Sequence, residues 1–326
     1  AYNWAGTGNI DGTSVSPEAQ PTPSELNTER SEYTTEVALR NRIELNTQTA
    51  LWLGMRHTQL NRASQRTDGS RAVQDQRSFN TPWLAVTHQI TPAYSVYGSY
   101  GEGIETDVAP NRSRYTNAGQ ALPALRSHQT EIGVKGQWAQ TRWQASGFDI
   151  TRPVSGDEGT CDEDNTCTRK IDGQARHRGL DLSAGMTHAQ WTLDMGAAWI
   201  QALRQNAVID PSVNGQRALN VPRMTLRAQA QYRFAAVPGL RTSLRLSHEA
   251  ERLATEDGSV QLPAWTTLDW ALHHDTRIAG TRTQWTLAVD NLADRHYWRE
   301  SPKEFGHVYL YAGAPRTLRV GMKASF

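Results

Sequence analysis

No run in this 326-residue chain approaches the ~20 consecutive apolar residues that a helix needs to cross a bilayer, so helical membrane spans are excluded. Charge of one sign is also missing. Lys and Arg total 34 against 33 Asp and Glu, a formal net charge of +1, which removes the basic footprint of a nucleic-acid-binding protein. Cysteine is scarce. Two thiols cannot complete a four-ligand structural zinc site, and Cys161 and Cys167 bracket an acidic loop with no His at zinc-site spacing. They read either as a disulfide closing a short surface loop, which needs an oxidising compartment, or as two free surface thiols. Neither a Gly-x-Ser-x-Gly elbow nor a His-Glu-x-x-His pair occurs. His273 and His274 are adjacent, so on a strand their rings diverge to opposite faces. The sequence therefore predicts no enzyme and no metal site. It begins at Ala1 with no initiator Met and no signal peptide, and is expected to be an internal or processed piece of something longer.

What the chain has in quantity is alternation. Leu318, Val320, Met322, Ala324 and Phe326 are apolar, while Arg319, Gly321, Lys323 and Ser325 between them are polar or small, a strict period of two. That is a strand with one oily face, which needs another sheet, a partner or lipid to cover it. The pattern recurs upstream. Trp285, Leu287 and Val289 oppose Gln284, Thr286 and Ala288; Met224 through Phe234 oppose Thr225 through Arg233; Leu180 and Leu182 oppose Asp181 and Ser183; Val37, Leu39 and Ile43 oppose Glu36, Arg40 and Arg42. Between Trp143 and Ile150 the parity breaks, because Trp143 and Phe148 fall on opposite faces unless a bulge intervenes. About thirteen strands are predicted. Phe is scarce at five, against eleven Trp and ten Tyr, and amphipathic rings are what membrane interfaces select. Trp138, Trp143 and Trp191 flank tight turns, where an interfacial girdle would sit.

The connections alternate in length. Short ones are predicted at 46–49, 91–92, 139–140, 189–190, 235–239 and 276–280. Long ones are predicted at 1–28, 62–78, 103–127, 152–175, 205–219, 250–261 and 298–312. Short turns on one side and long loops on the other are the pattern of an outer-membrane barrel, whereas a soluble sandwich has no reason to sort its loops this way.

Asn291, Leu292, Asp294 and Tyr297 resemble the Asn-Leu-x-Asp-x-x-Tyr signature near the end of TonB-dependent outer-membrane receptors, with Ala293 where that family often carries Phe. Gly313-Ala-Pro-Arg316 resembles its Gly-x-Pro-Arg, Arg178-Gly-Leu-Asp-Leu182 its Arg-Gly-Leu-Glu-Leu, and Glu131-Ile-Gly-Val-Lys135 one of its strand openings. Phe326 resembles its terminal Phe, the barrel-assembly signal. The resemblance implies an all-β, antiparallel transmembrane β-barrel of about 22 strands around an amino-terminal plug. Residues 1–326 would be its C-terminal portion, beginning in an extracellular loop. It further implies a receptor of the ferric-siderophore type, energised by the TonB complex through the missing amino-terminal part. Lipid and the barrel-assembly machinery are the other implied partners. No cofactor is implied, since ferric iron enters only as part of the siderophore.

Siderophore receptors of this family commonly hold their bulky, anionic chelates with aromatics and Arg at the loop tips. The candidates are Tyr2 and Trp4, the run Arg112, Arg114 and Tyr115, and Trp298, Tyr309 and Tyr311. The rival functions are a passive porin, a TonB-dependent importer of haem, cobalamin or another nutrient, and an outer-membrane barrel enzyme. The Phe-Arg-Ala-Pro and Asn-Pro-Asn-Leu motifs of haem receptors do not occur, and the family signatures count against a porin.

Overall fold

A computed structural model of the protein describes residues 28–161, 165–304 and 307–325. Thirteen strands form one antiparallel sheet in strict chain order. They are β1 (Thr28–Glu44), β2 (Thr49–Arg66), β3 (Val73–Thr91), β4 (Tyr94–Glu105), β5 (Leu125–Trp138), β6 (Thr141–Gly159), β7 (Cys167–His188), β8 (Trp191–Gln205), β9 (Met224–Arg233), β10 (Leu240–Glu249), β11 (Trp265–Ile278), β12 (Thr281–Asp290) and β13 (Thr317–Ser325). Among the described residues β1 pairs only with β2 and β13 only with β12, so the sheet is open at both ends. Among the described residues no second large sheet packs against it, and the two buried clusters are small groups at the long-loop end, around Tyr115 and around Ala202. A sandwich with a dry core is thereby ruled out.

The register sorts the side chains as the alternation predicts. Leu287 faces Val320 and Leu272, and Trp285 faces Met322, on one side; Thr286 faces Gly321 and His273, and Gln284 faces Lys323, on the other. The apolar side is bare, with Val320, Leu39 and Ile132 each more than two-thirds exposed. The polar side is concave. One cavity of ≈ 1010 Å³ is lined by Arg42 of β1 and by Arg245 of β10. In a flat sheet nine strand spacings of ~4.8 Å would separate those strands by roughly 43 Å. Curvature alone brings them to one cavity.

At one end the strands are joined by tight turns. Ala139, Ala189 and Ala279 open three two-residue turns at φ 50–52°, the left-handed geometry that matches the twist of the flanking strands. Trp138 and Trp191 stand on the apolar side beside two of these turns, 75% and 47% exposed, in the position of a girdle. Two expectations differ from what is observed. The stretches 62–78 and 152–175 are mostly strand, not loop: β2 and β3 stay paired to Ser64 and Val73, and β6 and β7 to Gly159 and Cys167. A membrane crossing needs about 9–11 residues, so the 22 residues of β7 project well beyond one. Nor does a bulge separate Trp143 from Phe148. Pairing with β5 is continuous from Thr141 to Thr151, and the register shift lies beyond, between Pro153 and Ser155. Trp143 covers Gly136 on the apolar side, whereas Phe148 covers Gly179 on the concave side.

Candidate ligand face and mouth

The concave face is a polar surface with a cationic belt. Arg42, Lys135, Arg142, Arg227 and Arg245 line the large cavity against Glu44 and Asp194, five cations to two carboxylates, on a chain of net charge +1. Several are held by their neighbours. The Arg42 guanidinium lies 5.3 Å from the Trp52 ring centre and bonds Glu44 at 2.5 Å; the Lys135 ammonium lies 4.7 Å from the Tyr97 ring, whose hydroxyl donates to Glu131. Toward the long-loop end a second concave cavity of ≈ 820 Å³ is lined by Arg40, Arg42, Arg56, Trp52 and Trp83 together with Glu32 and Glu36, the latter 3.7 Å from Arg56, and Leu60 and Phe79 are buried in its wall. Trp83 fits there because Gly54 and Gly101 leave room beneath its ring. Guanidinium and indole groups on one wall suit a bulky, flat or anionic ligand, by stacking and charge-assisted hydrogen bonds.

Sequence reasoning passed over Trp52 and Trp83. The signal was parity. Trp52 lies between the outward Leu51 and Leu53, and Trp83 precedes the outward Leu84, so both had to point inward.

The expected candidates divide among separate places. Tyr2, Trp4 and Phe326 lie outside the described residues. Arg112, Arg114 and Tyr115 share the loop 106–124, which docks on the far ends of β6 and β7. There Arg169 is the tie: it donates to Asp107 at 3.2 Å, to Asp157 at 3.0 Å and to the Ser155 hydroxyl at 2.8 Å, while its backbone exchanges bonds with the Asn117 amide. Burial opposes the Arg169 charge, but the two carboxylates outweigh it and raise its pKa. Tyr115 is buried against Cys167 and Ala109, its hydroxyl donating to Asp157 at 3.0 Å. Its ring is thus a packing element of the loop. Arg112 and Arg114 are half-buried beside it, and the Arg114 carbonyl accepts from the Cys167 amide. Cys161 and Cys167 are disulfide-bonded, with Cα atoms 4.8 Å apart.

Trp298 and Tyr311 lie on the two arms of a short ribbon in the loop 291–316, where Trp298 pairs with Ala312 and Glu300 with Tyr311. Tyr311 is exposed, Trp298 and Tyr309 half-buried. The motif residues pin this loop. Asn291, at φ 50°, accepts from the Arg295 amide at 2.8 Å and donates to the Arg295 and Ala314 carbonyls at 2.9 and 3.0 Å. Asp294 accepts from the Arg316 amide at 3.0 Å, and Tyr297 lies on Gly313, where any Cβ would collide with its ring, and against Trp265 at 4.6 Å. Loops 206–223 and 291–316 meet at Asn220, whose side-chain oxygen accepts from the Ser301 amide at 2.9 Å. His273 lines the concave wall, bonded to Thr286, and His274 points the other way. Among the described residues no group of three or more His, Cys, Asp or Glu is placed to hold a metal ion.

Comparison with known proteins agrees with this architecture. A family described as TonB dependent receptor-like, beta-barrel, matches residues 2–292. The ferrichrome receptor FcuA of Yersinia enterocolitica is 27% identical over 253 residues, 73% of this chain and 32% of its own length. The metal-pseudopaline receptor CntO of Pseudomonas aeruginosa is 26% identical over 304 residues, 88% and 40% respectively. Among solved structures, BauA, the ferric preacinetobactin receptor from Acinetobacter baumannii, superposes with a TM-score of 0.74 at 23% identity, over 96% of this chain and 45% of BauA. The ferric yersiniabactin uptake receptor FyuA of Yersinia pestis gives 0.69 at 18%, over 93% and 48%. The chain thus spans about a third to a half of the length of the relatives it matches.

Proposed function

Because this chain belongs to the TonB-dependent receptor β-barrel family, a family of outer-membrane transport receptors and not of enzymes, we propose that its parent protein imports a ferric siderophore with energy from the TonB complex. The observation that carries the substrate class is the pair of curated relatives, both receptors for metal chelates, that cover 73% and 88% of the chain. The wall chemistry supports it. The indoles of Trp52 and Trp83 suit the flat, apolar parts of a chelate, and Arg40, Arg42 and Arg56, with Glu32 and Glu36 beside them, its polar groups. On this reading the short turns face the periplasm and the long loops the exterior, and the thirteen strands are the C-terminal part of a larger barrel. Arg112, Arg114, Trp298, Tyr309 and Tyr311 stand at its mouth. The cationic concave belt then faces the plug of the complete protein.

The likeness to the metal-pseudopaline receptor favours a second reading, a metal chelate that is not a ferric siderophore. The test is growth of a strain lacking the parent gene, under iron and then zinc limitation, fed a panel of ferric siderophores, metal–metallophore complexes, haem and cobalamin. Loss of growth on one ferric siderophore alone is the expected result. Normal growth on every siderophore, with failure on haem or cobalamin, would sink the substrate assignment.

A further inference from the structure

The outward side of β4, β5, β6 and β7 carries two features that the import of a chelate does not use. The first is a furrow of ≈ 560 Å³ on the apolar face, its floor made by Gly98, Ala145 and Gly147 and its sides by Ile132, Val134 and Leu180. It exists because small residues meet across the strands: Gly98 pairs with Ile132, Ile132 with Gly147, and Gly147 with Leu180. The second is a cluster of charge directly above it. One step of two residues along the strands, roughly 7 Å, leads from the Ile132, Gly147 and Leu180 row to Thr130, Asp149 and Arg178; a second step leads to His128, Thr151 and Arg176. These side chains share the face of the furrow, so they point away from the concave side.

Asp149 gathers the two guanidiniums. It accepts from Arg176 Nε at 2.9 Å and from Arg178 Nε at 2.9 Å. Arg178 is about half exposed. Beside them on β5, Arg126 bonds Glu102 at 3.1 Å, and His128 lies against Tyr100 at 3.3 Å. Three arginines against two carboxylates leave one positive charge in excess, at the border where apolar wall gives way to polar wall. An oily groove capped by preorientated guanidiniums is complementary to an acyl chain that ends in a phosphate, since Arg presents its donors as a fork matched to phosphate oxygens.

We propose that the outward face of β4–β7 binds a phosphate-bearing lipid of the surrounding membrane, with an acyl chain in the Gly98–Ala145–Gly147 furrow and the phosphate against Arg178 and Arg176. The inference rests on the membership of the barrel family and is independent of the imported substrate. Charge complementarity selects this occupant over a neutral lipid, and the furrow selects it over free phosphate.

The test uses the full-length parent protein in detergent, with native mass spectrometry counting retained lipid. The probes are phosphatidic acid and diacylglycerol with the same chains, with inorganic phosphate as the third arm. Phosphatidic acid should be held about tenfold more tightly than diacylglycerol, the scale of one charge-assisted contact. The double variant Arg176→Gln, Arg178→Gln should bring the two lipids within about twofold, while Gly147→Leu, which fills the furrow floor, should weaken both lipids alike. Should the double variant not assemble, Arg178→Gln alone keeps the Arg176–Asp149 pair and should give an intermediate preference. Equal retention of the two lipids by the unaltered protein, an unchanged preference in either Arg variant, or inorganic phosphate bound as tightly as phosphatidic acid would overturn the proposal.

Discussion

The loops 106–124 and 291–316 stand at the same end of the wall and differ in where their side-chain ties run. Loop 291–316 is held largely from within: Asn291 and Asp294 bond backbone groups of the same loop, and Tyr297 caps Gly313. Loop 106–124 has backbone bonds of its own, Ala109 with Gln120 and Gly119 and Leu122 with Asp107, but its side-chain ties run outside it, to Arg169 and Asp157 on the neighbouring hairpin, and its backbone bonds that of Cys167. A loop tied by its own short-range bonds keeps its shape wherever its ends are anchored. One tied by an ion pair depends on its neighbour and on the solvent around the pair. The contrast gives the motif residues near the chain's end a geometric role, and makes the seating of loop 106–124 depend on the hairpin beside it.

The largest effect is expected at Asn291. Replacing it by Ala removes its three bonds to Arg295 and Ala314 and strains a residue at φ 50°, so the loop should lose about 3 kcal/mol of local stability. Hydrogen exchange across 291–316 in the full-length protein would read it. Asn291→Gly relieves the backbone and not the bonds, and should recover less than half. Full recovery would mean that the side-chain bonds contribute little and that the two loops differ less than proposed.

If the ligand meets loop 106–124, Arg112→Ala with Arg114→Ala should weaken binding of an anionic chelate by on the order of 2–3 kcal/mol, about the cost of lost charge-assisted hydrogen bonds. Trp298→Ala with Tyr311→Ala should cost less. The reverse order, measured by equilibrium binding, would move the ligand to the last loop, and no loss in either variant would move it to the Trp52 and Trp83 wall.

The two loops also differ in how far sequence reveals them. Within the membrane span alternation is readable because lipid and water demand opposite chemistry on alternate residues, so Leu318, Val320 and Met322 declare their face. Beyond the lipid both faces of a strand are wet, the period vanishes, and β2–β3 and β6–β7 read as loop although their ladders continue to Ser64 and Gly159. The last-loop residues are legible as a motif because their partners lie within 23 positions. Arg169 meets Asp107 across 62 positions and belongs to no motif, so nothing in the sequence marks it. Tyr115 shows the same limit from the other side: an aromatic in an Arg-rich loop suggests a ligand, and only the fold reveals that its ring is buried on a disulfide.

Breaking the outer tie should cost less than breaking the inner one. Arg169→Met keeps the bulk but leaves Asp107 and Asp157 without their guanidinium. These groups are about a quarter exposed, so water screens part of the loss and about 2 kcal/mol of loop attachment is expected. Limited proteolysis should then cut within 106–124 and spare 291–316. Cleavage of both loops together would show that they open as one unit.

The smallest effect is expected from Tyr115→Phe. It deletes one hydrogen bond to a carboxylate, Asp157, and keeps the buried ring, so attachment of loop 106–124 should fall by about 1 kcal/mol. The hydroxyl adds a pH signature. Burial, with the charge of Asp157 and the bond to it, raises the Tyr115 pKa above its ordinary value of 10.0. A raised folded pKa means that the folded loop holds its proton longer than the free one, so this contribution is complete below about pH 10 and is lost as pH rises through the raised value. The unaltered protein should therefore release loop 106–124 in alkali, read by hydrogen exchange relative to 291–316, while Tyr115→Phe should show a weaker but flat dependence there. An identical alkaline release in both proteins would assign it to another group and leave Tyr115 with its packing alone.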